Sequence, residues 1–351
     1  MNAIRPGKVW LDTEGKRIQA HGGSMFYENG TFYWYGENKE KTNGGKIWHW
    51  GVKCYSSKDL YNWKDEGLII EPNLKDKNSP LHPHRYLDRP HILYNEKTRK
   101  YVCFLKFSGM DASNHFLTVL TADKLLGPYS IVKERLNPLG KDVGDFDVFE
   151  KDGKAYIYFE SEHERLICAQ FTDDFLDLIP EFTEHFADLL PPFTREAPAH
   201  FERNGKHYLI TSGMLGYIPN PSETSVAEKW NGPFSIQGNA HPNDVSCSSY
   251  NSQISCVFKH PHKKDLYIAM ADRWVPKFPM TEKRYEALTR ITQWANKQKV
   301  KVKIGDFILA ARTPFMKAKT SIADYVWLPV RFDGDRAYIE WRDEWNIEEF
   351  D

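Results

Sequence analysis

Hydrophobic and polar positions along this chain fall into one arrangement that returns five times. The copies are Phe26–Glu37 (FYENGTFYWYGE), Leu93–Leu105 (LYNEKTRKYVCFL), Phe149–Glu160 (FEKDGKAYIYFE), Phe201–Ser212 (FERNGKHYLITS) and Phe258–Ala271 (FKHPHKKDLYIAMA). Each starts apolar, crosses a polar turn and continues as a Tyr- or Phe-rich strand. NG, DG and NG stand in the first, third and fourth turns, and such dipeptides close tight hairpins because both central residues tolerate positive φ. The second and fifth copies carry longer polar loops. A companion unit follows most copies, in YSSKDLYNW (Tyr55–Trp63), TADKLLGPYS (Thr121–Ser130), FTDDFLDL (Phe171–Leu178) and AEKWNGPFS (Ala227–Ser235). There a strand ends in a polar corner and an outer strand begins. Hairpin plus corner gives four strands in roughly 50 to 65 residues, one propeller blade. The pattern predicts an all-β, five-bladed β-propeller as a single domain over residues 1–351, with Tyr325–Pro329 and Ala337–Trp341 completing the last blade.

One stretch breaks the pattern. Phe278–Ser321 is rich in Lys, Arg, Ala and Gln, and TEKRYEALTRITQWANKQ has Leu288, Ile291 and Trp294 at helical spacing. It reads as a partly helical insertion within the last blade, either a packed surface helix, a cover over the site, or a partner surface through which the chain self-associates.

Composition adds little to the fold but narrows the chemistry. Aromatic residues make up 14% of the chain, which suits a pleated core and also the stacking of sugar rings. The net charge of −1 gives no long-range field for nucleic acid or for an anionic membrane. No apolar run reaches bilayer length, and the first residues do not resemble a signal peptide, so a cytoplasmic location is expected, or a secreted one if a signal peptide has been removed. Cys54, Cys103, Cys168, Cys247 and Cys256 are odd in number and scattered, and read as buried reduced thiols.

Chemistry is expected where the innermost strands enter around the propeller axis. Those junctions read QAHGGS (Gln19–Ser24), LDRPH (Leu87–His91), VGDFDVF (Val143–Phe149), TREAPAHF (Thr194–Phe201) and YNSQISCVF (Tyr250–Phe258). A polar residue just before an apolar strand is costly to bury unless it is paired or used. Glu196 is a candidate general acid, with Asp145 as the neighbouring carboxylate that holds a proton on it. Asp147 shares a strand face with Asp145 and is an alternative, while Asp142 and Asp152 read as loop and turn residues. The cluster LHPHRYLDRPH lacks metal-helix spacing and reads as a structured loop, with His91 able to reach the channel. No metal or cofactor is expected. Tyr217 or Trp274 is a candidate platform for a sugar ring.

These junctions resemble glycoside hydrolase family 43, and most closely its exo-β-1,3-galactanase branch (subfamily 24) and the neighbouring subfamily 34 of arabinofuranosidases and galactofuranosidases. The resemblance rests on QAHGGS, YWYGENK (Tyr33–Lys39), DRPHILYN (Asp88–Asn95), DFDVFEKDGKAY (Asp145–Tyr156), REAPAHFERNGKHYLITSG (Arg195–Gly213), NSQ (Asn251–Gln253), and DRW (Asp272–Trp274) with YVWLP (Tyr325–Pro329). It implies a five-bladed propeller that hydrolyses glycosidic bonds, with Glu196 as acid and Asp145 as the group that tunes it. It implies Gln253 in place of the family's first-blade base Asp, which QAHGGS lacks, and Glu37 and Asp88 as substrate contacts. The branch often has Glu where this chain has Asp88. The implied substrate is an oligosaccharide or polysaccharide losing a terminal galactose with inversion. The alternatives are removal of α-L-arabinofuranose or β-galactofuranose, and glycan binding without cleavage. No WD dipeptide recurs to support a protein-scaffold propeller.

Overall fold

The computed structural model describes residues 3–108, 114–311 and 318–351. Its strands form five four-stranded antiparallel sheets, each built from consecutive strands. Blade one contains β1 (His21–Glu28), β2 (Thr31–Glu37), β3 (Val52–Ser57) and β4 (Lys64–Ile70). Blade two contains β5 (Tyr86–Asn95), β6 (Lys100–Ser108), β7 (Phe116–Ala122) and β8 (Ser130–Leu136). Blade three contains β9 (Phe146–Lys151), β10 (Lys154–Ser161), β11 (Arg165–Phe171) and β12 (Leu178–His185). Blade four contains β13 (Arg195–Arg203), β14 (Lys206–Gly213), β15 (Ser222–Ala227) and β16 (Ser235–Asn239). Blade five contains β17 (Gln253–Lys259), β18 (Tyr267–Arg273), β19 (Asp324–Asp333) and β20 (Arg336–Ile339). The strands β1, β5, β9, β13 and β17 contact one another in a ring around the axis.

The hairpin chemistry is the one the sequence calls for. Asn29–Gly30, Asp152–Gly153 and Asn204–Gly205 all have positive φ, so each dipeptide turns the chain between the first two strands of its blade. Two of the polar corners are Asx turns. Asp59 Oδ1 accepts from the amides of Tyr61 and Asn62 and lets Leu60 take a φ of 63°, and Asp174 Oδ1 accepts from the Leu176 amide beside Phe175 at 62°.

The ring closes by packing, not by exchange of a strand. Ile4 bridges to Trp345, and the amide of Gly7 donates to the Tyr325 carbonyl. Trp34, Trp63, Trp327 and Trp345 are almost fully buried where blades one and five meet. Trp34 lies edge-on to Trp63 and Trp327 at 5.4 and 4.6 Å, and the Trp345 indole donates to the Trp327 carbonyl at 2.8 Å. Such edge-to-face pairs add stabilisation beyond the area they bury.

The partly helical insertion is present in the last blade, and three details differ from expectation. The last strand stops at Ile339, short of Trp341, because the chain leaves the sheet to cross back to the N-terminal segment. The insertion contains α1 (Glu282–Ala295), capped by the Thr281 side chain, and a second short helix, α2 (Ile304–Ala310); its residues 312–317 lie outside the described residues. Only part of the expected stripe faces inward: Leu288 is buried with Leu215, Ile218 and Met280, whereas Trp294 is 55% exposed beside Phe307. Of the five free thiols, Cys247 is only half-buried.

Candidate active site

Four of the five inner strands, all but β9, begin with a defect that aims a side chain. The pairing register slips between His21 and Ser24, Asp88 and His91, Glu196 and Ala199, and Ile254 and Cys256. In blades one, two and four the slip holds a residue in the left-handed region: Gly22 at 57°, Arg89 at 51° and Ala197 at 51°. Gly is at ease there, but Arg and Ala are strained, and such strain gathers at functional sites. A bulge turns the preceding side chain, Asp88 or Glu196, away from the regular alternation.

The side chains so aimed surround a cavity of about 300 Å³. Seven of the candidates from the sequence line it: Glu37, Asp88, Asp145, Glu196, Tyr217, Gln253 and Trp274. Glu196 is 8% exposed. Burial, with the charges of Asp145 and Glu160 behind it, pushes its carboxyl up to about 8. Asp145 goes the other way. Burial opposes its charge, but Arg89 Nε at 3.0 Å and Lys106 Nζ at 2.9 Å hold its carboxyl well below the usual range. Glu196 therefore favours its protonated form at neutral pH while Asp145 favours its ionised form, the division of labour that acid catalysis of this kind uses.

Gln253 is held on both sides of its amide. Its Oε1 accepts from Arg89 Nη2 and Trp274 Nε1, both at 3.3 Å. Its Nε2 donates to Ser212 Oγ at 3.0 Å and to Glu196 Oε1 at 3.3 Å. On the opposite side, the Arg89 amide donates to Glu37 Oε1 at 3.0 Å, and the Trp48 indole donates to Asp88 Oδ1 at 3.0 Å. Burial pushes the Glu37 carboxyl up to about 8 against the pull of Lys39, and Asp88 adds to the push. An aromatic wall runs from Tyr86 through Trp48 and Tyr217 to Trp274, with ring centroids 4.0, 5.9 and 5.4 Å apart.

The empty first-blade position has a physical filling. A Cβ at Gly22 would overlap the Glu37 carboxylate, which comes in from the paired strand. The Gly22 amide and His21 Nδ1 both engage the buried carboxylate of Asp272 at 2.8 Å. The first-blade junction is thus occupied by neighbours.

The structure also places residues that pattern reading passed over. Arg89 joins Glu37, Asp145 and Gln253 at the pocket floor, and it stood inside LDRPH. Lys106 pairs in register with Asp88, and its signal was a lone charge within the apolar run YVCFLKFS. Glu160 ends the third hairpin as Glu37 ends the first, and its hydrogen bond to His163 raises that imidazole. Asp147 does not line the cavity. It accepts from the amides of His200 and Val148 at 2.7 and 2.8 Å and lies 3.4 Å from His91, so both residues belong to the contact between blades. The His82–His84 stretch is an ordered loop, with the His49 ring against the His82 carbonyl and Tyr86 on the cavity wall. Among the described residues, no group of three or more His, Cys, Asp or Glu is arranged to hold a metal ion.

Known proteins share this fold. No curated protein sequence matches the chain. Among solved structures, a family-43 β-1,3-galactosidase superposes with a TM-score of 0.80 at 29% identity; the alignment covers 99% of this chain but 64% of that one. The chain therefore spans less than two thirds of that relative's length. A second β-1,3-galactosidase, solved with galactodeoxynojirimycin, gives 0.78 at 26% identity over 98% of this chain and 100% of that one. An exo-β-1,3-galactanase from Phanerochaete chrysosporium gives 0.78 at 24% identity over 99% and 68%, a likeness of fold. The sequence profile of glycosyl hydrolases family 43 matches residues 18–287, which hold all five inner strands and every cavity-lining residue named above, and on that match the chain belongs to glycoside hydrolase family 43.

Proposed function

We propose that this glycoside hydrolase is exo-acting and inverting, and that it releases terminal galactose from β-1,3-linked galactan or galacto-oligosaccharides. The feature that carries the reading is the buried Glu196, its carboxyl pushed up to about 8, in one cavity of about 300 Å³ with Asp145, whose carboxyl Arg89 and Lys106 hold well below the usual range. The names of the two β-1,3-galactosidases above support the choice of sugar.

In this reading Glu196 gives its proton to the leaving oxygen, and Asp145 keeps that proton in place until then. Glu37, Asp88 and Arg89 receive the galactose hydroxyls, and the Tyr217–Trp274 wall takes the apolar face of the ring. Gln253 positions the attacking water, whose oxygen bonds the anomeric carbon as the glycosidic bond breaks and whose proton passes to solvent, from which Glu196 is reprotonated. The Gln253 Nε2 stands 3.3 Å from Glu196, whereas an inverting pair keeps roughly 6.5–9.5 Å open for water. The incoming sugar must therefore break the Gln253–Glu196 bond, which frees the amide to hold water and Glu196 to meet the leaving group.

The test is turnover by wild type and by Glu196→Gln on β-1,3-galactobiose and a panel of aryl glycosides that includes α-L-arabinofuranoside and β-galactofuranoside. Galactose release from the disaccharide by wild type alone supports the proposal. Preference for a furanoside moves the activity to the sister substrates, and no release from any member leaves a glycan-binding propeller.

A further inference from the structure

We infer that Lys39 is a positioning residue that holds the galactose-binding side of the pocket together. This rests on the pocket reading above and adds a residue to it. Lys39 is 1% exposed, and a lysine is rarely buried so deeply without a partner. Its ammonium ion-pairs with Glu37 Oε2, donates to the Trp48 carbonyl at 3.1 Å and lies 3.8 Å from Asp88 Oδ1. The same ammonium is 5.0 Å from the centroid of the Trp48 ring. Its backbone is fixed from behind, where Thr42 Oγ1 donates to the Lys39 carbonyl at 2.8 Å.

The contacts join three segments at one cation, alongside the Arg89–Glu37 and Trp48–Asp88 hydrogen bonds. Glu37 ends β2, Trp48 sits in the connection to β3, and Asp88 lies in β5 of the next blade. Burial and the neighbouring Asp88 work against a charge on Glu37, and Lys39 works for it. The Lys39 cation lets the two carboxylates sit close, and its bond to the Trp48 backbone sets that ring, whose indole then fixes Asp88. Lys39 makes none of the cavity lining itself, so it acts through these three groups.

The experiment is a double-mutant cycle of Lys39→Met and Glu37→Gln, read by kcat and KM on β-1,3-galactobiose and by calorimetry with galactose. Lys39→Met should raise KM about tenfold or more with a smaller effect on kcat, because it disturbs sugar binding and not the acid. In the Glu37→Gln background the same change should raise KM less than about threefold, since the repulsion it exposes is already gone. An equal rise in both backgrounds overturns the inference, and so does a loss confined to kcat. If Lys39→Met alone does not fold, the neutral double variant should, and its KM should stay within about threefold of Glu37→Gln; a much weaker double variant overturns the inference. A wild type that binds galactose without turnover overturns the hydrolase reading only, and Lys39 is then judged on galactose affinity. A wild type that neither turns over nor binds overturns both.

Discussion

Glu196 and Asp145 are both carboxylates in one cavity, yet they titrate apart because their neighbours differ. Asp145 takes both nearby cations, Arg89 and Lys106, and Glu196 is left with the Gln253 amide. Glu196→Gln should lower kcat on β-1,3-galactobiose by about 10²–10⁴, with a much smaller loss on a substrate whose leaving group needs no proton. The acid works only while protonated, so kcat/KM should fall as pH rises through about 8. Asp145→Asn removes the repulsion that raises Glu196 and leaves Arg89 and Lys106 free to favour its charge. The alkaline limb should therefore move to lower pH, and a pH–rate profile with an unmoved limb would show that Asp145 does not set the acid.

At the scale of elements, the hairpins were legible because the NG and DG turns and the aromatic strands are local signals. The carboxylates at the strand junctions were legible for the same reason, as polar residues beside apolar runs. Arg89, Lys106 and Glu160 were not, because their value comes from register and from partners one blade away. The bulges that aim Asp88 and Glu196 were equally silent, since RP and AP in sequence do not announce a left-handed Arg or Ala. Blade one shows the consequence. Gly22 has positive φ and its missing Cβ leaves room for the Glu37 carboxylate. Gly22→Ala should destabilise the fold by about 1 kcal/mol through the backbone and raise KM for galactosides by displacing Glu37. Thermal unfolding and steady-state kinetics on one preparation check both; an unchanged KM would remove Glu37 from sugar binding.

At the scale of the molecule, five blades were countable from the repeat, but the closure was not. It depends on Trp34, Trp63, Trp327 and Trp345 meeting from distant parts of the chain. Trp345 lies in the C-terminal segment beyond the last strand, and it pins that segment to β19 and to Ile4. Trp345→Ala should destabilise the protein by about 3–5 kcal/mol, as for other buried Trp truncations. The variant that remains folded should keep its KM, because the closure stands apart from the pocket residues; urea unfolding and kinetics measure the two effects separately.

The central claim is that the Glu196 pocket removes one terminal galactose with inversion. Real-time NMR of β-1,3-galactotriose hydrolysis tests it most directly. The account predicts that galactose appears first as the α-anomer, together with galactobiose. Galactose appearing first as the β-anomer, or no release of galactose at all, would contradict it.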